Sequence, residues 1–239
     1  MRKQITVMIG LLGGTLAAGT ASAEWGGKGK LGGVLTRGNS ETTTLSANID
    51  VINKLERWNH KFGSSVLRTL NEEVITADRW EARAESEFEP TDRTFTFISA
   101  RYEDDRFTDY EYQVTAAVGY GYHFIRNPDT SLVAKVGVGA RGTELRLSGE
   151  TEREDILRGA LEFKHQLTET TLVFNKYLVE SGSTNTFMQN LFGIEVKINS
   201  SLALGLGYEV RRNTDVLPGT RNSDQLYTAN LVFGFGATQ

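Results

Sequence analysis

The chain has 239 residues, of which 39% are apolar and 23% charged, enough for one large domain. It carries 26 Lys and Arg against 30 Asp and Glu, a formal net charge of -4, which argues against a nucleic-acid partner. With no cysteine there is no disulfide framework, no lipid-anchored Cys and no thiol chemistry, so the fold must hold by its own packing and pairing.

At the start, Arg2 and Lys3 precede the apolar run ITVMIGLLGGTLAAG, which leads into the small residues of "ASA", 21–23. A basic beginning, a short apolar stretch and a small-residue cleavage site mark 1–23 as a signal peptide for export through the Sec pathway, with Glu24 as the first mature residue. The run is rich in Gly and shorter than the ~20 apolar residues a spanning helix needs. Without Arg2 and Lys3 the mature chain carries 24 basic residues and a net charge of -6.

From 24 to 239 no low-complexity linker and no 3.6-residue periodicity interrupts the chain. Period-two alternation predicts about twelve strands, at 27–36, 42–54, 59–69, 79–89, 94–103, 110–125, 131–146, 156–167, 171–180, 186–198, 201–212 and 225–236. Pro90, Pro128 and Pro218 all fall between runs. The links at 55–58, 90–93, 126–130, 168–170 and 199–200 are short. Those at 71–78, 105–109, 148–155 and 213–224 are mostly longer and more charged, while 37–41 and 181–185 are compact. An even strand count with short turns on one rim and longer loops on the other predicts an all-β fold, an antiparallel up-and-down transmembrane β-barrel following the cleaved signal peptide.

The faces of the strands carry the same message. In YEYQVTAAVGYGYHF, 110–124, the even positions are aromatic at the ends and aliphatic between, while the odd positions are polar or small. Ten residues from Tyr112 to Tyr122 span about 33 Å, or about 23 Å along the membrane normal at a 45° tilt, matching an apolar band of about 25 Å between aromatic girdles. The even face therefore meets lipid. Gly119 and Gly121 face inward and leave room for larger neighbours. Strand 79–89 sets Trp80, Ala82, Ala84 and Phe88 against Arg79, Glu81, Arg83, Glu85 and Glu87. A buried soluble core does not accept such alternate charges, but a polar barrel interior does. A mean hydropathy typical of a soluble protein is no objection, because barrel strands hide one apolar face in lipid.

The segment GGVLTRGNSETTTLSANID, with its glycine-rich first strand, Gly38-Asn39-Ser40 turn and Thr-rich second strand, together with ARYEDDRF at 100–107, resembles the YdiY-like salt-induced outer membrane proteins, domain of unknown function 481. The resemblance covers about 26–239 and implies a Gram-negative outer-membrane barrel linked to salt or osmotic adaptation, with no assigned chemistry. The chain departs from many outer-membrane barrels in ending LVFGFGATQ, with Phe235 followed by four further residues.

Candidate chemistry is sparse. Of three histidines, His60 begins a strand near Trp58, His123 faces inward, and His165 lies in the lipid-facing phase beside Phe163. His60 and Ser64 share a face but stand about 13 Å apart along one strand, too far for a nucleophile and its base. The acidic groups Glu103, Asp104, Asp105 and Asp109, and Glu150, Glu152, Glu154 and Asp155, read as outer loops without a calcium-loop spacing. Accordingly no catalytic residue, metal ligand set or cofactor is assigned. The functional lead is a set of lumen-facing charges: Glu81, Arg83, Glu85, Lys135, Arg141, Arg158, Glu162, Lys164, Glu195, Glu209 and Arg211. Arg83, Arg158 and Arg211 are expected to pair with Glu85, Glu162 and Glu209. Such a lumen is either a narrow polar pore or a salt-bridged plug. The expected function is thus a non-enzymatic channel or envelope protein. A phospholipase-like membrane enzyme and a soluble periplasmic sandwich or lipocalin-like binder are the alternatives. The partners of such a barrel are outer-membrane lipid, lipopolysaccharide and the barrel-assembly machinery.

Overall fold

A computed structural model describes residues 24–36, 42–72, 74–216 and 221–236. The signal-peptide assignment at 1–23 and the 37–41 turn lie outside the described residues. Twelve strands run in chain order: β1 (Glu24–Thr36), β2 (Thr42–Leu55), β3 (Trp58–Asn71), β4 (Val74–Phe88), β5 (Thr94–Asp105), β6 (Tyr110–Arg126), β7 (Thr130–Leu145), β8 (Thr151–Gln166), β9 (Thr171–Ser181), β10 (Thr186–Lys197), β11 (Leu202–Asn213) and β12 (Ser223–Gly236). Each pairs antiparallel with its neighbours in sequence, and β1 pairs with β12 through Gly26↔Gly236 to Gly32↔Asn230, closing the barrel. Closure removes the free edges that an open sheet would expose, so main-chain donors and acceptors are met within the wall.

The strands reach further than alternation of apolar residues suggested. The segment 71–78, expected as a long loop, is largely strand: β3 and β4 pair up to Asn71↔Val74, and Glu72 takes φ 47° in the tight turn between them. Likewise β8 starts at Thr151. In both places charged residues continue the strand beyond the apolar band, where water tolerates them on either face.

Outward residues form an apolar belt with no covering layer. Tyr120 is 69% exposed, and Leu31, Leu45, Ile98, Val118, Val136 and Leu206 are exposed around the wall. An apolar surface of this extent is stable facing lipid, not water. Paired aromatics edge it on both sides. Trp80 and Tyr102 lie 5.1 Å apart and Tyr208 and Tyr227 4.7 Å near the long-loop rim; Trp58 and Phe88 lie 5.0 Å apart near the short-turn rim. Tyr110 leaves this belt. A bulge between Tyr110 and Tyr112 turns it inward, where its hydroxyl donates to Glu103 at 2.9 Å.

Inward, Gly119 and Gly121 make room as expected, but the room is filled. A Cβ on Gly121 would strike the Phe95 ring, and one on Gly119 would meet Phe97 and the Val136 carbonyl. With Val133 these rings form the one buried apolar cluster among the described residues.

Ala116 projects to lipid midway between Tyr112 and Tyr122, whereas Ala117 beside it is 3% exposed. Ala116→Arg is expected to destabilise the barrel by about 2–4 kcal/mol, the midplane cost of a lipid-facing cation, while Ala116→Leu stays near neutral. Guanidinium titrations of vesicle-inserted protein check this, and equal effects of the two substitutions would refute the outward placement.

Candidate functional site

Alternation sends every second side chain into the lumen, so the polar site is assembled by the whole wall. Near the long-loop rim the charges meet across the barrel. Arg211 on β11 pairs with Glu103 on β5, six strands away in a ring of twelve. Arg101 donates to Glu180 on β9 at 2.5 Å and to Glu103 at 3.0 Å. Arg158 also pairs with Glu180, whose backbone carbonyl accepts from Arg141 at 3.0 Å. Arg141 donates further to Glu154 at 2.9 Å, and Arg79 on β4 lies 3.6 Å from Glu209 on β11. The Phe187 ring supports this lattice, with the guanidinium carbons of Arg101 and Arg211 at 4.6 and 5.0 Å from its centre. Glu180 is 0% exposed and Arg141 1%. This layer is a dry plug. Above it opens a vestibule of about 700 Å³, with Arg79, Gln113, Arg141, Glu209 and Arg211 among its lining residues.

Toward the short-turn rim the lumen is wetter. Arg83 pairs with Asp50 and, at 3.0 Å, with Glu81, and the Arg83 and Asp50 side chains remain 37% and 33% exposed. Lys135 contacts Glu85, Glu87 and Glu162 at 2.5, 3.0 and 2.9 Å. Lys61 reaches Glu87 at 2.6 Å. Glu195 receives both Lys28 at 2.7 Å and Lys30 at 2.6 Å. Lys164 and Lys176 are exposed inside the wall, with no carboxylate within 4.0 Å among the described residues.

The family model described as "Protein of unknown function, DUF481" matches residues 29–235. The chain belongs to the DUF481 family. A curated relative is the uncharacterized protein YdiY of Escherichia coli K12, 23% identical over 179 residues that cover 74% of this chain and 70% of YdiY. Among solved structures the DUF481 barrel is similar to an outer-membrane channel of Pseudomonas putida F1, at 8% identity and TM-score 0.53 over 92% of this chain and 99% of that one. It is also similar to the NanC porin, at 11% identity and TM-score 0.50 over 87% and 97%. These likenesses show an outer-membrane type of barrel.

Several expected partnerships in the DUF481 barrel differ. Arg83 turns to Asp50 and Glu81 instead of Glu85, Arg158 to Glu180 instead of Glu162, and Arg211 to Glu103, with Glu209 only at 4.0 Å. The expected pairs lay on one strand, whereas the guanidinium arms reach Asp50 on β2, Glu180 on β9 and Glu103 on β5, and only the Arg83–Glu81 contact stays within a strand. Glu103 and Glu154, read as loop acids, stand in strands and anchor the plug. Arg101 and Glu180 went unnoticed in the sequence, although each keeps the inward phase of its strand. Lys28, Lys30, Asp50, Lys61 and Lys176 were equally legible and equally missed.

Two of the three histidines, His60 and His165, acquire hydrogen-bond partners across strands. His60 Nδ1 lies 2.9 Å from Ser86 Oγ on the lipid face, with Asn53 in register on the other side and Trp58 stacked at 5.8 Å. The same arrangement recurs at His165, 2.9 Å from Thr130 Oγ1 and stacked on Phe163 at 6.4 Å. Recurrence with a threonine at a second place on the girdle marks a way of satisfying an imidazole at the membrane interface.

Glu180→Gln keeps the shape of the side chain while stripping the buried arginines of their counter-charge, and is expected to cost about 3–5 kcal/mol. Asp50→Asn, in the wetter layer, is expected to cost about 1 kcal/mol or less. Unfolding titrations of the two variants side by side test the contrast; similar losses would mean that the two layers are equally wet.

Proposed function

We propose that this protein is a non-enzymatic channel of the Gram-negative outer membrane, held closed near its outer end by the arginine–glutamate plug. The observation that carries the reading is the division of one lumen into a dry lattice of cross-barrel ion pairs and a solvent-accessible basic layer, with an open vestibule above. A barrel whose only task was anchorage could fill its lumen with apolar side chains at lower desolvation cost. Porins and channels among the similar folds support this reading without naming a solute. The short-turn rim then faces the periplasm, and the charged long-loop rim meets lipopolysaccharide. A role in salt adaptation, implied by the family resemblance, is physically reasonable. Partly exposed pairs such as Arg79–Glu209 weaken as ionic strength rises, whereas the fully buried ones do not.

In planar bilayers at moderate salt the wild type is expected to show small, infrequent openings. Arg101→Gln combined with Glu180→Gln, which neutralises the plug in charge-matched fashion, is expected to raise the open time or conductance several-fold. Folded protein that passes no current in either form would overturn the channel reading.

A further inference from the structure

Resting on the channel reading, we propose that the lower lumen holds a binding site for a small dianion, seated between Lys164 and Lys176. The argument begins with charge. Lys28, Lys30, Lys61, Lys135, Lys164 and Lys176 occupy this layer with four carboxylates to share, Glu85, Glu87, Glu162 and Glu195. Glu195 alone serves both Lys28 and Lys30. Arg83 and Asp50 neutralise one another. Of these six lysines four hold the carboxylates, and two are left over.

Glu162 on β8 stands directly opposite Lys176 on β9 in register, the natural cross-strand pair. It turns instead to Lys135 on β7, at 2.9 Å. Lys176 is left without its neighbour's carboxylate. Lys164, two residues beyond Glu162 on the same inward phase, is diagonal to Lys176 and also lacks one among the described residues. Both ammonium-bearing side chains are exposed although the wall encloses them, so water and solutes of similar size reach them. Above, every arginine of the plug has a carboxylate: Arg79 has Glu209, Arg101 has Glu103 and Glu180, Arg141 has Glu154, Arg158 has Glu180 and Arg211 has Glu103. The two lysines without a carboxylate thus stand side by side in one layer, and a ligand with two negative charges balances them. Point-charge ammoniums on flexible stems suit compact carboxylate or phosphate groups without demanding one orientation.

The test uses the full barrel and the variant Lys164→Gln/Lys176→Gln, whose folding is verified by heat-modifiable migration. Calorimetric titration in micelles with succinate and with inorganic phosphate is expected to show saturable binding to wild type, weakened about tenfold in the variant. Succinate binding alone would identify a dicarboxylate site and phosphate alone an oxyanion site; absence of both would overturn the proposal. In bilayers under a KCl gradient, the wild-type reversal potential is expected to favour chloride and the variant to lose that preference. A preference unchanged in the variant would also overturn the site. Binding without any current would refute the channel reading while leaving the site intact. Should the double variant fail to fold, Lys176→Gln alone is expected to produce about half the loss of binding free energy, read as a roughly threefold weakening.

Discussion

Arg211 and Glu103 meet from opposite walls, and much of the molecule is arranged so that they can. Neither charge is tolerable alone in a lumen this narrow, since an uncompensated buried ion costs several kcal/mol. Their strands therefore have to close into a ring whose diameter suits the reach of an arginine and a glutamate. Phe187 supplies the aromatic face against which two guanidiniums rest, and Tyr110 is bent out of the lipid belt to give Glu103 a hydroxyl. The local bulge in β6 thus makes sense as a service to a distant ion pair.

The remainder of the interior follows from the same need for complementarity. Large inward rings and small inward residues alternate across neighbouring strands, Phe95 against Gly121 and Phe174 against Gly193. Such knob-and-gap packing stiffens the wall and narrows the passage on the β5–β7 side. The glycines that looked like empty room in the sequence are therefore docking places for rings.

Strand number, inward phase and the two rims were legible because a barrel repeats one simple rule, period two, along every strand. Val114, Val118 and Tyr120 on the lipid face and Gln113, Thr115 and Ala117 on the inner face obey it without exception. The rule failed at the bulge, which shifts Tyr110, and above the membrane, where 74–78 and 151–155 remain strand although their charges resemble a loop. Partner choice was not legible at all. Glu162 faces Lys176 across one ladder yet binds Lys135 across another, and nothing in the order of residues distinguishes these two neighbours. The depth of burial that separates Glu180 from Asp50 is likewise a property of the closed ring.

The seam of the barrel has its own consequence. β1 joins β12 through seven residue pairs from Gly26 to Gly32, whereas it joins β2 along its whole length from Glu24 to Thr36. The first strand is also rich in glycine and offers few side chains with which to grip its neighbour. Lys28 and Lys30 reach past β12 and β11 to Glu195 on β10, so that one carboxylate clasps the first strand to the tenth over the heads of the last two. In a chain that threads its hairpins into a membrane in turn, the meeting of first and last strands is the final event, and a clasp that can form only then rewards completion. Glu195 is in this sense a latch on the finished cylinder, favouring the zipped ring over a sheet that has inserted but not yet shut.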